Sequence, residues 1–244
     1  GHAEATARLL DAGPSPAHLA TALGSACSYS RDNTVRMLLS RGAAVTQADR
    51  DGWTPLHRAT GFNATPSLEI VRALVRNGAN VNAASNDGTT PLMNALGHPD
   101  VVSFLLENGA AATARTKDGV TLLMLAAARD LPDMVKPLTD RGADVNLQND
   151  HGETALMYAS GAVDRVDKPE TVKALLDRGA RADLVDRDGS TALILAVSRQ
   201  NRGAVRVLVQ KGADLNQTNR NGDSALSIAR RQSRTDILKI LESR

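Results

Sequence analysis

The sequence is poor in cysteine and in aromatic residues. Cys27 is the only cysteine among 244 residues, which excludes an intramolecular disulfide, a cysteine-rich zinc site and a dithiol redox pair. Aromatic residues make up 2 % of the chain, so its core must be built mainly from Ala, Leu and Val. Such a core favours thin layers of closely packed helices over a deep globular interior.

Long apolar runs and a strong net charge are also lacking. No run approaches the ~18 residues that a membrane-spanning helix needs, and residues 1–13 do not have the pattern of a signal peptide. The formal net charge is +2, too small by itself to indicate a polyanionic partner. We therefore expect no membrane association. A cytoplasmic location is favoured, and a targeting segment outside this sequence would overturn it.

What the sequence does contain is a repeated segment. Residues 49–59 read Asp-Arg-Asp-Gly-Trp-Thr-Pro-Leu-His-Arg-Ala. Asp51-Gly52 suits a tight hairpin turn with positive φ, and Thr54-Pro55 suits the N-cap and first turn of a helix. Reduced copies of this turn and helix start begin at Asp87, Asp118, His151, Asp188 and Asn221. Six copies predict a repeat protein.

Each unit also closes on a glycine that follows a leucine by four residues. Six of these seven glycines also follow a valine by seven residues, and Val and Leu three apart lie on one helical face. This predicts a second helix in each unit, capped by its glycine. The closing glycines are Gly13, Gly42, Gly78, Gly109, Gly142, Gly179 and Gly212.

Three parts of the chain depart from this pattern. The first copy, Pro14–Ala20, follows Gly13 directly, so its unit lacks a hairpin, and a long inter-helix stretch is predicted at Gly24–Asn33. Longer inter-helix loops are also predicted around residues 61–67 and 161–169. Pro137 falls inside the predicted helix Asp133–Arg141, where it removes a ladder hydrogen bond; we favour a local defect over a functional hinge.

The segment Thr54–Ala59, Thr-Pro-Leu-His-Arg-Ala, resembles the Thr-Pro-Leu-His-x-Ala signature of ankyrin repeats. Gly-Ala-Asn-Val-Asn at residues 78–82 resembles the link between repeats in that family. The resemblance covers essentially the whole chain. It implies an all-α repeat solenoid of stacked antiparallel helix pairs with β-hairpin fingers. The Ala- and Arg-rich, aromatic-poor composition favours a bacterial source.

The repeats predict one ankyrin-repeat domain over residues 1–244, and we expect it to be monomeric. The predicted parts are the second helix of a truncated N-terminal repeat at 1–13, a repeat without a hairpin at 14–48, full repeats at 49–84, 85–115, 116–148, 149–185 and 186–218, and a C-terminal capping repeat at 219–244.

No catalytic or metal-binding constellation is predicted. No two of the five histidines, His2, His18, His57, His98 and His151, have the i, i+4 spacing of a helical metal site. The glycines recur at repeat spacing, which explains them as turns and caps and not as a phosphate loop.

Cys27 lies among small residues near a predicted helix end and is interpreted as a buried, inert thiol. Asp164 and Asp167 fall in a predicted loop, where charged residues are usually solvated. We expect no enzyme activity and no cofactor.

The resemblance to ankyrin repeats implies a protein partner on a concave face made by finger tips and first helices. Its mixture of charges, amides and aromatics suits a protein epitope better than a phosphate track. The residues transferred to this face are Arg50, Trp53, Asn86, Thr89, Lys117, Val120, Asp150, His151, Glu153, Arg187 and Ser190 on the fingers, and Arg58, Asn94, Leu125 and Tyr158 on the first helices.

Two alternatives stay open for the binding face. Trp53, the only tryptophan, is either a binding anchor or a shield packed against the next finger. A rival face is the edge that carries the long inter-helix loops, with Tyr29, Phe62, Asn63 and residues 162–168, because insertions in repeat arrays often lie on the binding side.

Two alternatives also stay open for the function. From residue 199 onward the chain has ten Lys or Arg against four Asp or Glu. A solvated terminal cap explains this excess, and the alternative is a nucleic-acid or polyanion binder that uses Arg199, Arg202, Arg206, Arg230, Arg231 and Arg234. A third hypothesis makes the chain the interaction portion of a larger enzyme or effector.

Overall fold

The computed structural model describes residues 15–61, 65–161 and 169–243. Within these ranges the chain forms fourteen α-helices, one short 3-10 helix and two isolated β-bridges. It separates into two compact units, residues 1–111 and 112–244. No helix in the described ranges is both long enough and apolar enough to cross a bilayer.

The described part of the first unit, residues 15–61 and 65–111, contains six α-helices that form three pairs. First helices pack on the first helices of the next repeat, and second helices pack on second helices. The bounds are α1 Pro16–Ser28, α2 Asp32–Ser40, α3 Pro55–Ala59, α4 Leu68–Arg76, α5 Pro91–Asn94 with the 3-10 helix Ala95–Gly97, and α6 Pro99–Glu107.

In the second unit, residues 112–161 and 169–243 contain eight α-helices that form four pairs with the same neighbour packing. The bounds are α7 Leu122–Ala128, α8 Pro132–Thr139, α9 Ala155–Ser160, α10 Glu170–Asp177, α11 Ala192–Arg199, α12 Arg202–Gln210, α13 Ala225–Arg231 and α14 Thr235–Glu242.

The first helices begin where the sequence predicts. The Thr121 and Thr154 hydroxyls each accept a hydrogen bond at 3.3 Å from the backbone N–H three residues on, and the Thr191 hydroxyl accepts one at 3.2 Å. An N-cap of this kind contributes about 1 kcal/mol to a helix. The repeated Thr is therefore a structural residue.

The second helices bury the predicted Val and Leu face. The repeated leucines Leu38, Leu74, Leu105, Leu138, Leu175 and Leu208 are all 0 % exposed, and the valines three residues earlier are at most 2 % exposed. The predicted glycine caps from Gly42 to Gly212 are confirmed as well, since all six glycines have positive φ. Gly42 has φ +79°, and the next backbone N–H, of Ala43, donates to the Leu38 carbonyl at 3.1 Å.

The predicted β-hairpin fingers are not confirmed. Each finger is a five-residue turn with two backbone hydrogen bonds. In the finger at Ser85–Thr89, Ser85 N–H donates to Thr89 O at 2.9 Å and Gly88 N–H donates to Ser85 O at 2.9 Å. In the described ranges, strand-like pairing beyond these turns is limited to two bridges, Arg115 with Thr121 and Thr218 with Ser224. The turn chemistry was predicted correctly, but in the described ranges the flanking chain pairs only through these two bridges.

The first repeat differs from its predicted form. The long inter-helix stretch Gly24–Asn33 is wrong, because α1 runs to Ser28 and only residues 29–31 connect it to α2. Ser30 takes φ +50° in this connection, and its hydroxyl donates to the Thr65 carbonyl at 2.8 Å. This side-chain bond helps to hold a backbone conformation that non-glycine residues rarely adopt.

Pro137 lies inside α8, as predicted. The helix ends at Thr139, two residues before the predicted end at Arg141. The neighbouring Leu138 is still fully buried, so the core position survives the missing hydrogen bond. The predictions for residues 1–13, for Phe62 and Asn63, and for residues 162–168 lie outside the described residues.

Candidate partner-binding surface

The finger at Asp49–Trp53 is organised by the carboxylate of Asp49. Its Oδ1 accepts the backbone N–H of Asp51 at 3.0 Å and of Trp53 at 2.9 Å, while its Oδ2 accepts from the Arg58 guanidinium. Burial opposes ionisation of Asp49, but these hydrogen bonds outweigh it and lower its pKa. The ion pair joins the finger to helix α3 within one repeat.

Trp53 packs on helix α3 and is half-buried. The Cζ atom of Arg58 lies 5.0 Å from the centroid of the Trp53 ring, within the range of a cation–π contact. The centroid of the His57 ring lies 5.7 Å from the centroid of the Trp53 ring. Trp53 is thus packed against its own helix and partly open to solvent, and both the anchor interpretation and packing against the next finger stay predictions.

Two cavities in the first unit share the Trp53 and Arg58 side chains. The α1-side cavity, of about 340 Å³, lies between the finger and α1 and also includes Asp49, Ser25 and Tyr29 in its lining. The inter-finger cavity, of about 330 Å³, is lined by Trp53, Arg58, Asp51, Asn86 and Asp87. The Trp53–Arg58 stack therefore borders both.

Tyr29 is placed differently from the sequence-based hypothesis. That hypothesis put it on the rival loop edge, but its side chain, 59 % exposed, lines the α1-side cavity beside Trp53. Because α1 runs to Ser28, Tyr29 is carried to the end of a first helix. It belongs with the finger and first-helix surface of the first unit.

Adjacent fingers within a unit are joined by backbone hydrogen bonds. In the first unit Asn86 N–H donates to Asp51 O at 2.8 Å, and Asn86 Nδ2 donates to Arg50 O at 2.8 Å. In the second unit the same bond forms from Asp150 N–H to Asp118 O at 3.0 Å and from Arg187 N–H to His151 O at 2.9 Å. The finger tips are thus held in a fixed spacing before any partner binds.

The second unit has a neutral counterpart of the Asp49–Arg58 pair. Nδ2 of the buried Asn149 donates to Glu153 Oε2 at 2.8 Å and to the Tyr158 hydroxyl at 3.2 Å. Burial, followed by the nearby Glu153 carboxylate, raises the pKa of Tyr158. The phenol therefore stays protonated and presents a half-buried ring with a polar tip.

The predicted contact residues divide into two groups by exposure. The finger-tip side chains are exposed and the side chains after the turn glycine or on the first helices are half-buried, with one exception. The exposed group is Arg50, Asn86, Lys117, Asp150, His151 and Arg187; the half-buried group is Trp53, Thr89, Val120, Glu153, Arg58, Asn94, Leu125 and Tyr158.

Ser190 is the exception. It is 6 % exposed, and its backbone N–H donates to Asp186 Oδ1 at 2.8 Å inside the turn. A partner cannot reach a side chain buried to this degree, so Ser190 does not belong to the contact surface.

Three of the residues considered for catalysis or metal binding, His57, His18 and Cys27, have the following surroundings. His57 is fully buried, and its Nε2 lies 3.0 Å from the Thr89 carbonyl oxygen. His18, in the same motif position, is exposed and pairs with Ser15 at 2.9 Å. Cys27 is 1 % exposed, and burial raises the pKa of its thiol to about 12. No cluster of three or more His, Cys, Asp or Glu suited to a metal occurs in the part of the chain that the structure describes.

Several arginines of the basic C-terminal end lie beside carboxylates, although the ten basic against four acidic residues leave this end basic. Arg231 lies 2.5 Å from Asp223, Arg230 lies 3.4 Å from Glu242, and Arg202 lies 3.5 Å from Asp236. Arg234 also faces Asp236, at 3.6 Å. Four of the six arginines proposed for a polyanion site are thus committed to carboxylates within the fold.

Sequence reasoning missed three members of this surface. Asp49 was interpreted only as part of a turn, and Asp51 and Asp87, which precede the turn glycines of neighbouring fingers, were not assigned to a site. The sequence did contain a signal for the role of Asp49. Asp49 lies nine residues before Arg58, and Asn149 and Tyr158 have the same spacing in the second unit.

Comparison with known proteins agrees with this architecture. A family model described as ankyrin repeats (3 copies) matches residues 1–85, 45–116 and 161–243, and one described as ankyrin repeats (many copies) matches residues 105–159. No curated protein matches the chain.

Solved structures give the same result. The crystal structure of the human ASB11 ankyrin repeat domain is similar with a TM-score of 0.77 and 26 % sequence identity, over 90 % of this chain and 95 % of that one. Because 617 solved chains match, the fold alone does not select a partner. The repeated turns, the buried Val and Leu faces and the matches to family models and solved structures together show that this chain belongs to the ankyrin-repeat family.

Proposed function

We propose that this protein is a non-enzymatic protein-binding module that contacts its partner through the fingers and first helices of its repeats. The observation that carries this proposal is the division between repeated and variable positions. Repeated residues such as Thr54, Leu56 and Ala59 are buried, whereas Arg50, Trp53 and Arg58, which change between copies, are exposed or half-buried. The fold uses the first set and leaves the second for recognition.

The family supports this interpretation. Ankyrin repeats are generally protein–protein interaction modules, and the fold is typically a non-enzymatic interaction domain. The proposed contact residues are Arg50, Trp53, Arg58, Asn86, Thr89, Asn94, Lys117, Val120, Leu125, Asp150, His151, Glu153, Tyr158 and Arg187. The repeat boundaries, the monomeric state and a bacterial source stay predictions from the sequence.

The finger-to-finger hydrogen bonds support recognition of a folded or extended protein epitope. The bond from Asn86 N–H to Asp51 O, and its counterparts in the second unit, order the tips in advance. Preorganised contacts lose less conformational entropy on binding and so contribute more to affinity.

The ion pairs at the C-terminal end favour a protein partner over a polyanion. A polyanion site needs basic side chains whose charge is available to phosphates, and Arg231 and Arg230 already face Asp223 and Glu242. The hypothesis of an interaction portion in a larger enzyme or effector uses the same surface, since such a module would recruit the protein on which the remainder acts.

Site-specific photo-cross-linking tests the proposal. Benzoylphenylalanine is placed at the finger tips Arg50, Lys117 and Arg187, and, as matched controls, at three exposed second-helix positions, Arg36, Ser103 and Lys173. Each variant is irradiated in lysate of the source organism treated with nuclease, and the adducts are identified by mass spectrometry. We expect the same protein to be attached to the finger variants and not to the second-helix variants.

A second readout uses Trp53. Trp53→Ala should lower recovery of that protein at least fivefold while the circular dichroism spectrum is unchanged, and Trp53→Phe should retain part of it. Equal labelling from both sets of positions would show that the fingers and first helices are not the binding surface, and protein adducts that form only when nuclease is omitted would show that the partner is held through nucleic acid.

A further inference from the structure

The inter-finger cavity of the first unit has an acceptor-rich lining. Its charged groups are the carboxylates of Asp51 and Asp87 and the guanidinium of Arg58. Arg58 is already paired with Asp49, so the two carboxylates give this cavity a net negative charge. Asn86 also lines the cavity, and its Nδ2 donates to Arg50 O.

The two carboxylates differ in their surroundings. Hydrogen bonds from the Ser85 hydroxyl and from Thr89 lower the pKa of Asp87. Asp51 is exposed at the finger tip, and its backbone carbonyl, not its carboxylate, makes the bond to the next finger. The Asp87 carboxylate thus also braces its own turn, because it accepts hydrogen bonds from Ser85 and Thr89, whereas the Asp51 side chain is exposed at the neighbouring tip.

The Trp53 ring places a second requirement on any side chain that the cavity receives. Trp53 presents its ring between the two fingers, and an indole face attracts cations more strongly than other aromatic rings. An apolar side chain could cover the ring, but it would desolvate two carboxylates without compensation. A partner carboxylate or phosphate would be repelled. A side chain that satisfies both the ring and the carboxylates has an apolar stem and a cationic end.

We propose that the inter-finger cavity formed by Trp53, Asp51, Asp87 and Asn86 receives a lysine or arginine side chain of the partner protein. This inference rests on the proposed function and specifies the chemistry of one contact within it. The methylene stem lies along the Trp53 ring, and the ammonium or guanidinium group donates to the two carboxylates. The basic residue is therefore a determinant of which protein segments bind.

The net charge of the whole chain would not by itself produce a preference for basic peptides. Its formal net charge is +2, so overall electrostatics disfavour basic peptides. A preference for a basic side chain must therefore arise locally. It should also survive at physiological ionic strength, because charges in contact are screened less than charges separated by more than ~8 Å.

A peptide array tests the proposal with the complete 244-residue chain. Nonapeptides carry Lys, Arg, norleucine or Glu at the central position within the same set of random flanks, and binding is measured at physiological ionic strength. Peptides that bind are then titrated in solution by following the fluorescence of Trp53, the single tryptophan. We expect at least tenfold tighter binding with Lys or Arg than with norleucine, and the weakest binding with Glu.

Matched variants locate the preference. The double variant Asp51→Asn, Asp87→Asn should lose the preference for the basic residue, and Asp51→Asn alone should weaken it if the double variant is unstable. The control Asp118→Asn, Asp188→Asn makes the same charge change at the corresponding finger positions of the second unit and should keep the preference.

The outcomes separate the two proposals. Three outcomes would overturn this inference: equal binding of Lys and norleucine peptides, a preference that is undiminished in the Asp51 and Asp87 variants, or no binding peptide at all. The cross-linking result decides the proposed function separately. Binding that survives both Trp53→Ala and Arg58→Ala without change would overturn the use of the first-unit finger surface itself.

Discussion

His57 Nε2 lies 3.0 Å from the backbone carbonyl oxygen of Thr89, so a buried imidazole links the first helix of one repeat to the finger of the next. A carbonyl oxygen only accepts, so Nε2 carries the proton. Nδ1 then accepts the Thr54 backbone N–H at 3.1 Å. One neutral ring thereby caps its own helix and ties two repeats together.

Removing this link should destabilise the first unit and change its pH response. His57→Ala should lower the free energy of unfolding by about 1 to 3 kcal/mol, since buried partners lose their hydrogen bonds. Burial lowers the pKa of His57 below its ordinary 6.5. Its contribution is therefore present above pH 6.5 and is lost as pH falls through the lowered value.

Urea titrations at about pH 7.5 and about pH 5.5, on either side of the ordinary histidine pKa, check this. The wild type should lose stability between the two pH values, and His57→Asn should lose less. His151→Ala, at an exposed histidine of the second unit, is the control. A wild type whose stability is the same at both pH values would contradict the prediction.

Gly52 should be harder to replace than another glycine of the same conformation. Its φ is +80°, and a Cβ there would lie 2.7 Å from Asn86 N. Gly78 has φ +88°, and a Cβ there would have open space around it. Gly78→Ala should cost about 1 to 2 kcal/mol for the left-handed conformation, and Gly52→Ala about 1 to 3 kcal/mol more for the clash. Equal losses of thermal stability would mean that the fingers are not closely apposed.

Leu105→Ala tests the assignment of the second-helix core. Leu105 is 0 % exposed in α6, and its truncation should lower the free energy of unfolding by about 2 to 5 kcal/mol by opening a cavity. Leu39→Ala, at the half-buried leucine next to Leu38, should cost clearly less. Chemical denaturation measures both, and a loss below about 0.5 kcal/mol at Leu105 would refute the predicted core face.

Arg58→Gln should release Trp53 without unfolding the chain. The cation–π contact and the ion pair to Asp49 are half-exposed, so stability should change by less than about 1 kcal/mol. Acrylamide quenching of Trp53 should rise, because the ring loses the side chain above it. Arg72→Gln removes a similar stack over Phe104 at 4.8 Å and should leave the quenching unchanged. Unchanged quenching in Arg58→Gln would show that the stack does not cover the ring.

Much of the repeat could be predicted because its local signals agree with each other. Thr121 and Thr154 as caps, Gly42 as a helix end and Leu105 as core follow from turn chemistry and a helical period, which depend on near neighbours in the chain. The connection after α1 was predicted wrongly, because no glycine or proline marks the point where α1 ends, and Ser30 takes up a positive φ with support from Thr65, 35 residues away.

The sequence by itself determined the family, the repeat spacing and the division between positions that build the fold and positions that vary. Only the tertiary structure decided which variable residues meet. It brought Tyr29 beside Trp53, paired Asp49 with Arg58, and set Asp51 and Asp87 around one cavity. The physical reason is that these contacts join different helices and fingers, whose relative positions depend on how whole repeats pack and not on any local pattern.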